Sequence, residues 1–114
     1  MTSKDNEIKK EIKNLNAIFK DIPDDKKKLV DGLIQNAAFM KVTLLELQRD
    51  VLENGAMIAV QSGNGFDTIK DNPAQKAYTT MISRYIAITA QLQTLLPSKE
   101  QMQNTNLLDW VENN

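Results

Sequence analysis

A stretch without proline from residue 24 to residue 54 constrains the fold most, because its apolar residues recur at alternating intervals of four and three. This spacing places the side chains on one side of a helix, as a heptad seam does. At about 1.5 Å per residue the helix is roughly 45 Å long, longer than the ~26 Å diameter of a compact domain of this size. A break near Gly32 would shorten it, since glycine costs about 1 kcal/mol relative to alanine inside a helix. The seam consists of Leu33, Ala37, Met40, Leu44, Leu47 and Val51.

Two further segments have the same periodicity. Residues 1–22 form a helix with one narrow apolar stripe, which we expect to begin with Ser3 as its N-cap and to end before Pro23. Another helix begins at Asn72 and Pro73, a typical N-cap followed by proline at the first helical position, and it ends at Pro97. The sequence therefore predicts three helices.

The connection between the two longer helices, residues 55–72, has strand character. Short apolar stretches flank Asn64 and Gly65, the pair preferred in two-residue hairpin turns. Such a turn would place Val60 opposite Ile69. We therefore expect a small β-hairpin, which needs a surface to pack against because an isolated two-stranded hairpin is marginally stable in water.

These elements predict an all-α fold: a long antiparallel helical hairpin resembling a coiled coil, with an N-terminal helix and a small β-hairpin connection. The central unit covers residues 23–97, and residues 98–114 form a polar tail. The predicted pair of helices leaves apolar rows uncovered, which favours self-association. The alternative is a monomer in which the three helices pack compactly, helped by a kink near Gly32. The rows expected to mediate oligomerisation contain Ala38, Leu45, Leu52, Ile82, Ile86 and Leu96.

The composition argues against an enzyme and against a membrane protein. The chain contains neither histidine nor cysteine, so it lacks the commonest general base and any thiolate ligand. The acidic pair Asp24 and Asp25 is explained by a helix N-terminus without a metal. No apolar stretch reaches the ~20 residues that span a bilayer, and the N-terminus lacks a signal peptide's apolar core. We therefore expect a cytosolic protein without cofactor, metal or membrane partner.

Residues 24–97 resemble the terminase small subunits of phages and prophages. The similarity lies in Leu44-Leu45-Glu46-Leu47-Gln48-Arg49-Asp50-Val51-Leu52-Glu53-Asn54-Gly55, in the glycine-rich turn, and in Lys70-Asp71-Asn72-Pro73-Ala74. The helix that contains Tyr78 and its end at Leu95-Leu96-Pro97-Ser98 also fit. These motifs are short, and their order and spacing carry the resemblance.

The resemblance implies a role in viral genome packaging in the cytoplasm of a bacterial host. Small terminase subunits form homo-oligomeric rings, bind double-stranded viral DNA at the packaging start, and recruit the large subunit, which carries the ATPase and nuclease activities. The alternative is a structural coiled-coil assembly module that does not bind DNA.

Two groups of lysines are the candidate DNA contacts. The chain has 14 basic and 15 acidic residues, so DNA binding would need a local basic surface multiplied by the symmetry of an oligomer. The alternative interpretation is an ordinary solvated face, because runs of charge are usually that. The candidate phosphate contacts lie in the first two helices: Lys9, Lys10, Lys13, Lys26, Lys27 and Lys28.

The tail ends in a short apolar motif around Trp110, the only tryptophan of the chain. Tryptophan is enriched in binding hot spots, and a short amphipathic turn can dock in a groove. We expect either that this motif binds the large terminase subunit or that it folds back onto its own domain. The motif consists of Leu107, Leu108, Trp110 and Val111.

Overall fold

The computed structural model describes residues 2–96 as a mostly helical protein with one small antiparallel sheet, which confirms that part of the predicted fold. The elements in chain order are α1 (Ser3–Ile18), α2 (Asp24–Asn54), β1 (Met57–Gln61), β2 (Asp67–Asp71) and α3 (Pro73–Thr94). None of the helices in residues 2–96 combines the length and the apolarity that crossing a bilayer requires.

Helix α1 begins one residue earlier than the sequence predicts. Thr2, rather than Ser3, is the N-cap: its side chain accepts a hydrogen bond from the Asp5 backbone N–H at 3.1 Å. The Asp5 carboxylate in turn accepts from the Thr2 backbone N–H at 3.3 Å. This reciprocal capping box satisfies two backbone donors at the helix end. Ser3 as the N-cap could not form it with an acid, because the residue three positions later is Asn6.

Helix α2 is a continuous helix of 31 residues that runs through Gly32 without a break. The helix break considered near Gly32 is therefore absent. The helix ends at Gly55, whose φ of +87° lies in the region that glycine adopts more easily than other residues. The extents, 61 × 31 × 20 Å, describe an elongated molecule in which α2 is the longest element.

We expect Gly32→Ala to raise the free energy of unfolding by about 1 kcal/mol, because alanine loses less conformational freedom in a helix interior. Gly32 is exposed, and a Cβ built there meets no atom within 4 Å, so the substitution introduces no clash. Urea denaturation checks this prediction. An unchanged or lowered stability would show that the helix is not continuous at this position.

Helix α1 lies antiparallel alongside the first two-thirds of α2. Lys4 forms a salt bridge with Glu46 at 2.8 Å, and Glu11 forms one with Lys41 at 3.2 Å. The residue paired later in α1 contacts an earlier residue of α2, so the two helices run antiparallel and form a helical hairpin. A DNA-binding helix-turn-helix crosses its helices at about 90–120° instead, so α1 and α2 do not form one.

Helix α3 also packs against α2, again antiparallel. Gln75 and Tyr78, near the start of α3, lie beside Gln48 and Val51, near the end of α2. Side chains from all three helices form one core, which lies towards the α1–α2 turn. Its buried members are Leu15, Phe19, Ile22, Val30, Ile34, Ala37, Ala38, Leu44, Tyr85, Leu92 and Leu96.

The β-hairpin has a register one residue away from the prediction. Ile69 lies opposite Ala59, and Val60 lies opposite Thr68. The predicted two-residue turn is wrong: three residues separate Ser62 from Phe66, whose carbonyl accepts a hydrogen bond from the Ser62 N–H at 2.8 Å. Gly65 closes this loop with φ +87°. Three-residue hairpin loops need a left-handed last residue, and the glycine supplies it.

Candidate functional site

Lysines gather in a groove at the turn between α1 and α2. Lys20 lies in the turn after α1, and Lys27 and Lys28 come from the first turns of α2. The groove has a volume of about 620 Å³, and its floor is formed by Phe19 and Ile22. The groove is therefore lined by both apolar and cationic side chains.

Acidic side chains partly offset these lysines. Lys27 forms a salt bridge with Asp24 at 3.0 Å, with both side chains more than half exposed. An exposed pair of this kind contributes little, about 0–1 kcal/mol, and does not prevent a lysine from contacting a phosphate. Asp31 also lines the groove and accepts a hydrogen bond from Gln35 at 3.2 Å. The groove can therefore attract a phosphate without being a strongly basic site.

The six predicted lysines do not form one patch. Lys26, Lys27 and Lys28 lie together at the turn, all exposed, whereas Lys10 lies in a second groove beside Lys41, Glu46 and other charged side chains of both signs. Lys9 and Lys13 are exposed on α1. Lys20, which also lines the turn groove, is not among the predicted lysines. It lies in the turn after α1, where no helical spacing relates it to Lys13.

The residues predicted to mediate oligomerisation divide into three groups. Ala38 and Leu96 are 0% and 4% exposed, so the expectation that they lie uncovered on the protomer is wrong. Leu45 and Ile82 are half-buried. Leu52 and Ile86, in contrast, are 80% and 42% exposed.

The length of α1 explains why exposure differs among the three predicted residues of α2. Ala38, Leu45 and Leu52 are seven residues apart and therefore share one face of α2, the face on which α1 packs. Lys4, near the start of α1, pairs with Glu46, so α1 reaches no further along α2 than this point. It covers Ala38 fully and Leu45 in part, and it leaves Leu52 in solvent.

Exposed apolar side chains concentrate at the hairpin end of the molecule. Large apolar residues exposed on the hairpin or next to it are Leu52, Met57, Val60, Phe66 and Ile69. Nearly every hairpin residue is exposed, so neither face of the sheet packs on the helices. A two-stranded hairpin with no packing partner is marginally stable in water, so its exposed apolar side chains favour contact with another surface.

One edge of the hairpin is open for strand pairing. Ala56 and Ser62 have backbone hydrogen bonds to the second strand, so alternation along an antiparallel ladder directs the backbone groups of Met57, Ala59 and Gln61 away from it. Strand β1 carries no charge and no proline, the features that natural proteins use to protect an edge. Strand β2 contains Asp67, Lys70 and Asp71. The structure therefore leaves β1 as the less protected edge.

The Asn72 side chain forms hydrogen bonds that connect the base of the hairpin to α2 and α3. Its side-chain oxygen caps α3 by accepting from the Ala74 N–H at 2.9 Å, and its amide nitrogen donates to the Gly55 carbonyl and to Asp50, each at 2.9 Å. Hydrogen bonds from Asn72 and then Asn54 lower the pKa of the Asp50 carboxyl below its ordinary value. The stabilisation from these bonds is therefore present above the ordinary pKa and is lost as the pH falls through the lowered one.

A second polar cluster lies between α1 and the other helices. The Glu11–Lys41 ion pair has side chains only 15% and 26% exposed. Burial, and then the charge of Glu11, raise the pKa of the Tyr85 hydroxyl well above its ordinary value, so Tyr85 remains protonated in the physiological range. This cluster fixes α1 against α2.

Leu107, Leu108, Trp110 and Val111 lie outside the described residues. Comparison of the chain with protein-family models, with curated proteins and with solved structures gives no match. The functional argument therefore rests on the two ends of the elongated protomer: lysines at the α1–α2 turn and exposed apolar side chains at the hairpin.

Proposed function

We propose that the protein is a terminase small subunit: an oligomer that recognises viral DNA and presents it to the large terminase ATPase and nuclease in the cytoplasm of a bacterial host. The observation that carries the proposal is the separation of two surfaces along a protomer 61 Å long. An apolar hairpin suited to self-association lies at one end of α2, and a group of lysines lies at the other. The sequence resemblance supports the same role.

The hairpin end provides the driving force for self-association. Burying one large apolar side chain contributes about 1.5–3 kcal/mol. Phe66 and Ile69 are 72% and 64% exposed in the protomer, so contact with a second copy would remove most of their surface from water. Pairing at the open edge of β1 would also satisfy its outward backbone groups. We propose that this surface, together with Leu52, forms the contact between copies.

Self-association would increase the number of lysines that one assembly presents to DNA. A single chain carries a net charge of −1, which gives no general attraction to DNA. If hairpin ends meet at the centre of a ring, the α1–α2 turns lie at its periphery, and each copy contributes Lys20, Lys26, Lys27 and Lys28. Neutralised phosphates release counterions, so even a few contacts from each copy add up to measurable affinity.

The tail motif is the part of the chain that we propose to recruit the large subunit. Its apolar side chains and Trp110 match the composition of binding hot spots. The tail follows Leu96, which is buried near the α1–α2 turn. The tail therefore starts at the end of the protomer that carries the lysines.

We expect the triple reversal Lys26→Glu, Lys27→Glu and Lys28→Glu to weaken binding to DNA that contains the packaging-start sequence by at least about tenfold. Loss of three phosphate contacts should also reduce the slope of log K against log salt by about 3. Fluorescence anisotropy over a salt series measures both quantities.

The matched control reverses Lys70, Lys76 and Arg84, which changes the net charge equally but lies outside α1 and α2. Equal losses in the two triple variants would show that DNA responds only to total charge. An unchanged affinity and salt slope in the first variant would exclude the α1–α2 turn as the DNA contact.

The second candidate function is a structural assembly module without DNA binding. The salt bridge between Lys27 and Asp24, and the position of Asp31 in the same groove, favour it because they dilute the positive charge. The two proposals share the self-association surface. A gel-shift with the packaging-start DNA separates them, since only the terminase proposal expects a shifted band.

A further inference from the structure

A groove along α3 differs in character from the lysine groove at the turn. It has a volume of about 440 Å³, within the range of natural ligand pockets. Met40 of α2 and Ala77 and Met81 of α3 form its apolar surface, and Lys76 and Arg84 border it. Ala77 is exposed and both methionines are half-buried, so this groove presents more apolar surface to a ligand than the lysine groove does.

The cations that border this groove have no acidic partner within residues 2–96. Neither Lys76 nor Arg84 forms a salt bridge there. Both side chains are exposed, and eight residues of α3, roughly 12 Å, separate them. The groove therefore suits an apolar segment that carries negative charge.

The chain itself contains a segment of this chemistry beyond the described residues. Leu107-Leu108-Asp109-Trp110-Val111-Glu112 combines four apolar side chains with two carboxylates. The only basic residue after Leu96 is Lys99. The apolar side chains match the methionine-lined surface, and the carboxylates match Lys76 and Arg84. Methionine adapts readily to a large aromatic partner such as Trp110.

The length of the intervening chain permits docking within one molecule. The α3 helix ends at Thr94, so Arg84 lies about 15 Å and Pro73 about 32 Å back along the helix. The residues from Leu96 to Leu107 span at most about 36 Å when extended. The motif can therefore reach the whole groove by turning back along α3.

We infer that residues 107–112 dock into the α3 groove of their own chain, with Trp110 against Met40 and Met81 and with the acidic side chains beside Lys76 and Arg84. This inference goes beyond the proposed packaging function and requires neither DNA nor a large subunit. If both hold, a partner that binds the tail must first displace it from the groove.

Fluorescence of the full-length protein tests the inference directly, because Trp110 is the only tryptophan. Docking should give emission at short wavelength and protection from acrylamide. We expect Ala77→Glu or Arg84→Glu to move the emission to longer wavelength and to raise the acrylamide quenching constant about threefold, because grooves typically cover 70–90% of what they bind. Circular dichroism verifies that the helices are retained.

Ser83→Glu is the matched control for Ala77→Glu, since it adds the same charge to an exposed position of α3 outside the groove. It should leave the emission unchanged. Exposed Trp110 emission in the unsubstituted protein would overturn the inference. So would protection that neither groove substitution affects, or protection that is lost on dilution, which would place the tail on another copy. DNA affinity should be equal in all of these variants, so failure here is distinguishable from failure of the proposed function.

Discussion

Replacing Asn72 with alanine is expected to lower the free energy of unfolding by about 2–4 kcal/mol. Loss of the α3 N-cap costs about 1 kcal/mol. The Gly55 carbonyl, which is partly buried, loses the donor that satisfies it, and such a loss costs about 1–3 kcal/mol. Alanine also removes the bond to Asp50 that ties α2 to α3. Urea denaturation followed by circular dichroism measures the change.

Two further substitutions separate the roles of this side chain. Asn72→Ser keeps an oxygen that can cap α3 but lacks the amide donors, so we expect an intermediate loss of stability. Asn72→Asp keeps the cap and places a carboxylate against Asp50, so its stability should improve when the pH is lowered enough to protonate one of them. Asn36→Ala, at an exposed position of α2, is the control and should change little. An Asn72→Ala variant as stable as this control would contradict the assigned role.

The double substitution Phe66→Thr and Ile69→Thr is expected to raise the dissociation constant between copies by about a hundredfold. Two apolar side chains at about 1.5 kcal/mol each account for this factor. Threonine retains β-propensity, so the hairpin itself should persist. Light scattering over a concentration series measures the effect, with the unsubstituted protein as an assembly and the variant shifting towards the 12.9 kDa chain.

Leu29→Gln is the matched control for the hairpin substitutions. Leu29 is 55% exposed but lies near the α1–α2 turn, at the opposite end of α2. Its replacement should leave the mass unchanged. If Leu29→Gln dissociates the assembly and the double variant does not, the contact between copies lies elsewhere. A 12.9 kDa species for the unsubstituted protein at all concentrations would exclude self-association altogether.

The helices could be predicted closely from the sequence because their boundaries depend on local chemistry. Gly55 ends α2, and Asn72 with Pro73 begins α3, as the capping preferences indicate. The N-cap of α1 was placed one residue late, since both Thr2 and Ser3 are suitable cap residues. Only the acid at position 5, three residues after Thr2, distinguishes them.

The sequence does not predict which element covers each apolar face of a helix, because the coverage depends on how far one helix extends along another. Apolar periodicity identified Ala38, Leu45 and Leu52 as a row, but not where α1 would stop covering it. The hairpin register was also missed. The sequence contains Gly63, Asn64 and Gly65 in succession, and both two-residue and three-residue turns can use such a set. The groove along α3 combines residues from two helices, so no single motif indicates it.

Within residues 2–96, hydrogen bonds join the hairpin to the helices at its base, through Gly55 and Asn72. A five-residue strand extends about 17 Å at ~3.3 Å per residue, so a tilt of about 10° at the base displaces the tip by roughly 3 Å. That displacement is as large as a hydrogen-bond length. If a strand of another copy pairs with β1 as proposed, the stiffness of this joint governs whether that strand stays in register along its whole length. The Asn72 side chain would then have a mechanical role as well as a thermodynamic one.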